Sequence, residues 1–237
     1  MDFFFSNDID NQIIILDNDE SRHCIKVMRH KVGDLIKIVD GLGNLYSGNL
    51  VSFDRNSCTI KINDKTENYK KRNQHIHIGI SPIKNQDRLE WFIEKSVEIG
   101  IDEITLIDCD RTLRKKIKID RLNKIAITAM KQSLKAYIPK INDVISVNDF
   151  IMYNQNSSKF ICHLDNDDRR DIFYYKDDIK KYKNVSILIG PEGDFSASEI
   201  ELAIDNNFLC VTLGNSRLRT ETAGIVACHL FNLMNSY

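Results

Sequence analysis

Two short stretches near the C-terminus combine glycines with charged and hydroxyl side chains in a way that could bind and transform a small ligand. They are residues 189–195, IGPEGDF, and residues 213–223, LGNSRLRTETA. Glycine lets the backbone approach a ligand closely or adopt a positive φ, and the Arg, Thr and Glu side chains could supply the chemistry. Each stretch follows a short apolar run of strand type, 185–189 and 210–213. Because α/β proteins bind ligands at the carboxyl ends of their strands, we expect the two stretches to form one site.

The elements that position these loops alternate between strand and helix patterns from residue 76 onward, which predicts a largely parallel sheet covered by helices. We expect Asp87 to cap the first helix, Gly100 to end it, and Ser196 with Glu199 to form a capping box later in the chain. Predicted strands are 76–80, 101–107, 159–164, 185–189 and 210–213, and predicted helices are 87–99, 119–136, 196–206 and 222–235, the last with Ile225, Leu230 and Leu233 on its apolar side.

The N-terminal part has a different pattern, with short β-branched runs separated by Asp-Gly and Gly-Asn turn signals. Predicted strands are 13–16, 35–39, 46–53 and 59–62, and their spacing favours a small barrel, since closure removes exposed edges. Residues 19–21 could begin a short helix that places His23 and Val27 one turn apart. The polar segment 67–74 is the predicted linker to the rest of the chain.

The composition of the 237 residues is that of an ordinary globular protein, with 42% hydrophobic and 28% charged residues. No apolar run reaches the roughly 20 residues that cross a bilayer, and the start lacks the features of a secretory signal, so we expect a cytoplasmic protein. The six cysteines show no Cys-x-x-Cys spacing, and His75 with His77 lacks a third ligand nearby in sequence. The sequence therefore predicts buried, reduced thiols and no metal site.

The charge is close to balanced, with a net value of −1, but its distribution is uneven. Residues 111–140 are rich in Lys and Arg and contain a single acid, Asp120, whereas residues 142–178 are acidic. A basic patch on a neutral protein is typical of a surface that contacts phosphates. The alternative is a solvated helix face without a partner.

The two C-terminal stretches resemble the signature loops of the small-subunit ribosomal RNA uridine-N3 methyltransferases, a family of the SPOUT class. The resemblance extends over nearly the whole chain in the family's order. It includes residues 23–29 (HCIKVMR), which are similar to the family's His-xxx-Val-x-Arg element, and residues 87–91, 94–100, 132–133 and 138–139. A GPEG loop alone would be weak evidence, but several ordered motifs together are specific.

The resemblance implies an α/β fold with a C-terminal knotted SPOUT-type (trefoil) parallel-sheet domain and a small N-terminal PUA-like β-barrel domain. The implied domains are residues 1–70, which bind RNA, and residues 71–237, which carry the methyltransferase activity. The implied cofactor is S-adenosyl-L-methionine, and the implied partners are 16S rRNA, in the small ribosomal subunit, and a second copy of the chain in a homodimer. The knot comes from the resemblance only, because chains in general avoid threading their loops.

Site residues follow from the same resemblance. Methyl transfer mainly requires that donor and acceptor be positioned, and N3 of uracil must lose or share its proton. Arg219 would contact an RNA phosphate or stabilise the developing imide anion, and Glu221 or Glu192 would act as the base or orient Arg219. The implied cofactor-binding residues are Ile189, Gly190, Gly193, Leu213, Gly214, Leu218, Arg219 and Thr222, the catalytic pair is Arg219 and Glu221, and the RNA-binding residues are His23, Arg29, Lys84, Arg88 and Arg114.

Two positions differ from the family pattern. The family often has a second glycine where this chain has Asp194, and we expect this carboxylate to cap the following helix rather than to contact the cofactor. Residues 215–217 (NSR) also differ from the usual sequence before Leu-Arg. For His23, packing or capping is a structural alternative to RNA contact.

Three other functions are alternatives to a uridine-N3 methyltransferase. The first is a methyltransferase of the same fold that acts on a ribose 2′-hydroxyl or another base, and the second is a non-catalytic RNA-binding protein. The third, a nucleotide-binding Rossmann enzyme, is disfavoured because residues 190–193 lack the G-x-G-x-x-G pattern and no Walker lysine motif is present.

Overall fold

The computed structural model describes residues 2–113, 116–164 and 169–236. They form two compact units, one of Met1–Lys71 with Ile127–Ile138 and one of Arg72–Ala126 with Pro139–Tyr237. The segment Ile127–Ile138 thus groups with the first unit, although it lies far along the chain. The domain limits 1–70 and 71–237 stay a prediction.

The first unit is built on a curled six-stranded sheet. Its order is β1-β4-β5-β6-β3-β2, with β1 parallel to β4 and the other neighbours antiparallel. Ser6 lies between the two edge strands, donating its backbone N–H to Val39 O at 3.2 Å and its hydroxyl to Ile15 O at 2.6 Å. The predicted barrel is therefore a curled half-barrel, and Ser6 links β4 near one edge of the sheet to β3 near the other. The strands are β1 (Phe3–Phe5), β2 (Asp8–Ile9), β3 (Ile13–Leu16), β4 (Leu35–Val39), β5 (Leu45–Phe53) and β6 (Cys58–Thr66).

Alternation along these strands builds the core of the half-barrel. Because successive side chains of a strand point to opposite faces, Ile14 and Leu16 are buried while Ile13 and Ile15 are exposed. The inward side chains meet in a cluster that includes Phe4, Ile14, Leu16, Ile36, Ile38, Leu50 and Ile60. The short apolar runs of the sequence thus form strands that are buried on one face and exposed on the other.

The predicted short helix is present as α1 (Asn18–Arg22), followed by a π-helical turn, His23–Val27. The cap is Asp17, whose side chain accepts the Glu20 N–H at 2.8 Å. The His23 ring lies 5.8 Å from the ring of buried Phe4. His23 therefore packs against the core of the half-barrel.

The second unit is a seven-stranded sheet in which every pair of neighbours is parallel, in the order β11-β13-β10-β12-β7-β8-β9. The strands are β7 (His75–Ile80), β8 (Glu103–Asp108), β9 (Lys140–Ser146), β10 (Ser158–Cys162), β11 (Arg170–Asp171), β12 (Asn184–Ile189) and β13 (Leu209–Thr212). The helices of this unit are α2 (Gln86–Ile99), the first part of α3 (Ile119–Gln132), α4 (Val147–Tyr153), α5 (Lys176–Tyr182), α6 (Ala197–Asp205) and α7 (Thr220–Ser236), and a 3-10 turn (Ile172–Tyr175) precedes α5. From Ile127 onward, α3 groups with the first unit.

Helix ends agree with the sequence in part. Gly100 ends α2 with a φ of 129°, and Ser196 and Glu199 form the predicted capping box of α6. The predicted cap Asp87 is wrong, because the side chain of Asn85 caps α2 by accepting the Asp87 N–H at 2.9 Å. Helix α3 ends at Gln132, four residues earlier than predicted, and Leu134 follows with a φ of 54°.

Helix α7 packs on α2 through small side chains. A Cβ at Gly224 would meet the Phe92 ring at 2.5 Å, so glycine is required for this close approach. The predicted apolar side was wrong, since Leu233 is exposed and Ile225 and Leu230 are only partly buried. The buried apolar side chains of the helix are Ala223, Ala227, Cys228, Phe231 and Met234.

Three further expectations concern the described residues. No described helix has the length and apolar character needed to span a bilayer. Cys24, Cys58, Cys109 and Cys228 are buried, as predicted, and Cys162 and Cys210 are partly buried. The knot stays a prediction from the resemblance.

Candidate functional site

A cavity of about 610 Å³ lies at the carboxyl ends of β10, β12 and β13. The two stretches singled out in the sequence supply most of its lining, with residues 189–192 and Asp194 from one and residues 213–221 from the other. Arg88 of α2 and residues that follow β10 complete it. The two predicted loops therefore form one site.

A hydrogen bond joins the two loops at the base of the cavity. The buried Thr220 hydroxyl donates to Gly190 O at 3.0 Å. A Cβ at Gly190 would lie 2.9 Å from the Phe195 ring, and Gly214 has a φ of +115°. Both glycines are thus required by the local geometry, and their backbone groups remain available to a ligand in the cavity.

The prediction that Asp194 caps the following helix is wrong. Its Oδ2 accepts the Leu164 N–H at 2.7 Å, and its Oδ1 accepts the Phe195 N–H at 2.9 Å. The cap is Ser196. Asp194 has a φ of 64°, a conformation that favours glycine, and its carboxylate ties the loop after β10 to the loop after β12.

The turn after β8 supports the loop after β12 from outside the cavity. The Arg111 Nη1 donates to Gly193 O at 2.7 Å and to Phe195 O at 3.2 Å. The Ser196 hydroxyl donates to Asp110 Oδ2 at 2.6 Å. Gly193 therefore faces Arg111.

Charged side chains of both signs line the cavity. Glu221, in the first turn of α7, is 8% exposed, and its Oε1 lies 3.4 Å from Arg88 Nη1. Arg219 is exposed and makes no ion pair within the part of the chain that the structure describes. Glu192 is exposed and accepts the Lys84 N–H at 3.2 Å. The lining thus combines the carboxylate of Glu221, which pairs with Arg88, and the exposed guanidinium of Arg219.

The predicted site residues divide as follows. The cavity lining includes Ile189, Gly190, Leu213, Gly214, Leu218, Arg219, Glu221 and Arg88, while Gly193 and Thr222 are absent from its described lining. Lys84 is exposed next to Glu192. His23 and Arg29 belong to the first unit, and Arg114 lies outside the described residues. The assigned roles stay predictions.

No motif in the sequence marks the segment at the carboxyl end of β10 as part of the site. Cys162, His163, Leu164 and Arg169 all line the cavity, although no glycine or motif marks them. Burial raises the pKa of the Cys162 thiol to about 11, and the neighbouring Asp194 charge adds to the shift. Their position in the chain could have identified them, because the predicted strand 159–164 ends at the same edge of the sheet as the two signature loops.

Neither histidine of the pair 75 and 77 is placed as a metal ligand. His75 Nε2 lies 3.5 Å from Glu103 Oε2, and His77 Nε2 lies 2.7 Å from the Thr105 hydroxyl. Among the described residues, no group of three His, Cys, Asp or Glu side chains could hold a metal ion.

Two family models match the chain. Residues 70–232 match an RNA methyltransferase domain, and residues 16–63 match an RNA methyltransferase PUA domain. The ribosomal RNA small subunit methyltransferase E of Buchnera aphidicola subsp. Acyrthosiphon pisum is 31% identical over 94% of this chain and 89% of its own length. The predicted fold class, an α/β SPOUT-type domain with a PUA-like β domain, is confirmed.

Solved structures agree with this assignment. A probable rRNA-methyltransferase from Porphyromonas gingivalis is 38% identical, with a TM-score of 0.90 over 100% of this chain and 99% of its own. The ribosomal RNA small subunit methyltransferase E of Neisseria gonorrhoeae, solved bound to S-adenosyl methionine, shares the fold at 24% identity, with a TM-score of 0.86 over 98% and 97% of the chains. The cavity described above thus lies in a chain that belongs to the ribosomal RNA small subunit methyltransferase E family of RNA methyltransferases.

Proposed function

We propose that this protein uses S-adenosyl-L-methionine to methylate N3 of a specific uridine in 16S ribosomal RNA. The observation that carries the proposal is that both signature loops line one cavity. Arg219 lies in this lining, is exposed, and makes no ion pair with another described residue. The relative from Buchnera aphidicola is named as a methyltransferase of small-subunit ribosomal RNA, which supports this RNA as the substrate.

The cavity fits the proposed cofactor in size and chemistry. Its volume of about 610 Å³ lies in the range of small-molecule sites. Ile189, Gly190, Leu213 and Gly214 would read the adenine edge through backbone groups, because no side chain at the glycines stands in the way. When bound, S-adenosyl-L-methionine supplies an electrophilic methyl group on a sulfonium centre. The relative from Neisseria gonorrhoeae was solved with this molecule.

The charged residues would prepare the acceptor. The imide N3–H of uracil must lose its proton before the nitrogen becomes a good nucleophile. The Arg219 guanidinium would hold a uracil carbonyl oxygen or an RNA phosphate and stabilise negative charge that spreads from N3 onto the carbonyl. Glu221, held by Arg88, would accept the proton or orient the cations around the base.

The proposed partners follow from the same function. The RNA would be 16S rRNA in the small ribosomal subunit, and such a substrate would place the protein in the cytoplasm. A homodimer would form through the second unit, where Leu233 of α7 leaves an apolar side chain exposed. Lys84 and Arg88 would contact RNA phosphates near the cavity.

Methylation of 16S rRNA from cells that lack this modification tests the proposal directly. The RNA, free or in purified small subunits, is incubated with the protein and the cofactor, digested and analysed by mass spectrometry of its nucleosides. We expect 3-methyluridine. Methylation of a ribose or of another base would assign a different target, and a protein that shows no calorimetric affinity for the cofactor would be a non-catalytic RNA-binding protein.

A further inference from the structure

A second cavity, of about 590 Å³, lies within the first unit and belongs to neither signature loop. It opens between α1 with its π-helical turn on one side and residues 53–56, at the end of β5, on the other. The predicted RNA-binding residues of this unit, His23 and Arg29, are absent from its described lining.

Three cations line this cavity with their charges unused. Arg22, Lys26 and Arg55 are all exposed, and none of them makes an ion pair with another described residue. They come from two segments that are distant in sequence. The fold thus gathers positive charge that a sequence pattern does not show, and it does so without internal compensation.

The one acid in the lining, Asp54, is occupied by its own turn. Its Oδ1 accepts the N–H groups of Asn56 and Ser57 at 2.7 and 2.8 Å, and its Oδ2 accepts the Ser57 hydroxyl at 3.1 Å. These bonds hold the turn that presents Arg55. The carboxylate is therefore a structural part of the turn, and the cavity keeps a positive balance of three cations against one acid.

An aromatic ring lies beside these cations. Phe53 ends β5, lines the cavity and is 47% exposed. A partly exposed ring next to unpaired cations matches the combination by which proteins hold single strands, in which a base stacks on the ring and cations contact the phosphates. A base in a duplex is already stacked and cannot use such a ring.

The geometry also separates Arg22 and Lys26 from the motif residue His23, which lies between them in the chain. The His23 ring packs near buried Phe4, whereas Arg22 and Lys26 face the cavity. The free cations on this segment are therefore different residues from the motif histidine.

We propose that this cavity binds an unpaired nucleotide of single-stranded RNA, with its base on Phe53 and the adjoining phosphates on Arg22, Lys26 and Arg55. The inference rests on the proposed function for RNA as the partner. It adds a contact on the first unit that would select an unpaired region of the substrate.

The test uses the full chain and a fluorescein-labelled single-stranded RNA of about 12 nucleotides, which falls within the usual site size. Fluorescence anisotropy compares Phe53→Leu with Phe53→Tyr, which keeps the ring. We expect Phe53→Leu to weaken binding about 5- to 10-fold and Phe53→Tyr to bind nearly as the wild type does. A duplex of the same sequence should bind both variants equally.

A salt titration tests the cations separately. Arg22→Ala, Lys26→Ala and Arg55→Ala should each reduce the slope of log K against log salt by about 0.7, the value for one phosphate contact on a single strand. Lys61→Ala removes a matched exposed charge on β6, away from the cavity, and should leave the slope nearly unchanged.

Cofactor affinity, measured by calorimetry, distinguishes this inference from the proposed function. All cavity variants should bind S-adenosyl-L-methionine as the wild type does. Wild-type RNA affinity and salt slope in the Phe53→Leu and cation variants would overturn the cavity assignment and leave the proposed function standing. A wild-type protein that binds the cofactor and no RNA would overturn both the cavity and the RNA substrate.

Discussion

Arg219 precedes α7 by one residue, and its carbonyl accepts the Ala223 N–H at 2.8 Å. This bond fixes the backbone at the end of the second loop, while the side chain remains exposed. The backbone of Arg219 is thus held in place, and its guanidinium is available to a ligand in the cavity.

Replacing Arg219 by Ala should reduce methyl transfer at least about 100-fold, a loss typical of removing a group that stabilises developing charge. Cofactor affinity should stay close to that of the wild type, because the cavity retains its backbone groups. Single-turnover methylation and calorimetry measure the two effects. Arg217→Ala, which removes another exposed cation from the same loop, should cost less, and an equal loss in both variants would reduce the role of Arg219 to general electrostatics.

Glu221 lies beside Arg88, so the two side chains could act as one unit or separately. If Glu221 acts by holding Arg88, Glu221→Gln combined with Arg88→Met should lose no more activity than the more damaging single variant. If the two act separately, their losses should multiply. We expect non-additive losses in kcat/KM, and a double variant whose loss equals the product of the single losses would contradict the pairing as a functional unit.

The sequence located most of the residues that line the cavity, for a physical reason. Gly190 and Gly214 are required by contacts and backbone angles close to them in the chain, so local sequence reveals them. The pairing of Arg88 with Glu221 joins segments 133 positions apart, and no local pattern encodes it. Asp194 was misjudged for the same reason, since its partner Leu164 lies on another loop.

At the scale of the loops, Asp194 gives a sharper test. Asp194→Gly removes the conformational strain at a φ of 64° but leaves the Leu164 N–H without its acceptor. This hydrogen bond is exposed, so water can replace the lost acceptor, and the effect comes from the lost link between the loops. A hydrogen bond typically contributes about 0.5 to 1.5 kcal/mol, so we expect cofactor affinity to fall about 2- to 10-fold. Calorimetry measures the change.

Asp194→Asn is the matched control, because its amide oxygen can still accept the Leu164 N–H. It should bind the cofactor nearly as tightly as the wild type does. An Asp194→Gly variant that binds as well as Asp194→Asn would show that the tether between the two loops has no influence on the cavity.

Among the elements, strongly periodic segments were predicted and ambiguous ones were missed. Strand β12 was placed correctly because Val185 to Ile189, apolar except for Ser186, form a short run that is buried on both faces. Strand β9 was missed because it lies at the sheet edge, and its sequence, KINDVIS, is half polar. The inward face of α7 was also missed, since small residues such as Ala227 lie there in place of leucines.

For the molecule as a whole, the structure divides the basic segment that the sequence suggested as an RNA surface. Lys131 pairs with Glu20 within the first unit, and Arg121 pairs with Glu90 within the second, its Nη2 donating to Glu90 Oε2 at 2.8 Å. These cations are partly compensated inside their own units. The unpaired cations around the Phe53 cavity are therefore better candidates for RNA contact than the segment 111–140.

The second unit also contains a partly buried histidine, His77, from which we expect a pH-dependent contribution to stability. The His77 ring lies 4.9 Å from the Phe150 ring and bonds the Thr105 hydroxyl. Burial lowers the pKa of His77 to about 4, although the charge of Glu103 opposes the shift and His75 adds to it. The folded chain therefore keeps this imidazole neutral through the mildly acidic range.

Stability should fall as the pH drops from about 6.5 to about 4, because over this interval the unfolded chain binds a proton at His77 that the folded chain does not bind. Above this window the imidazole is neutral in both states and contributes no slope. The shift corresponds to a loss of at most about 3 kcal/mol. Urea unfolding at a series of pH values should show a weaker dependence in His77→Gln than in the wild type. His75→Gln, at a neighbouring histidine whose side chain is 42% exposed, is the matched control and should change the dependence less. A His77→Gln variant that loses stability with acid as steeply as the wild type would mean that other groups cause the acid sensitivity.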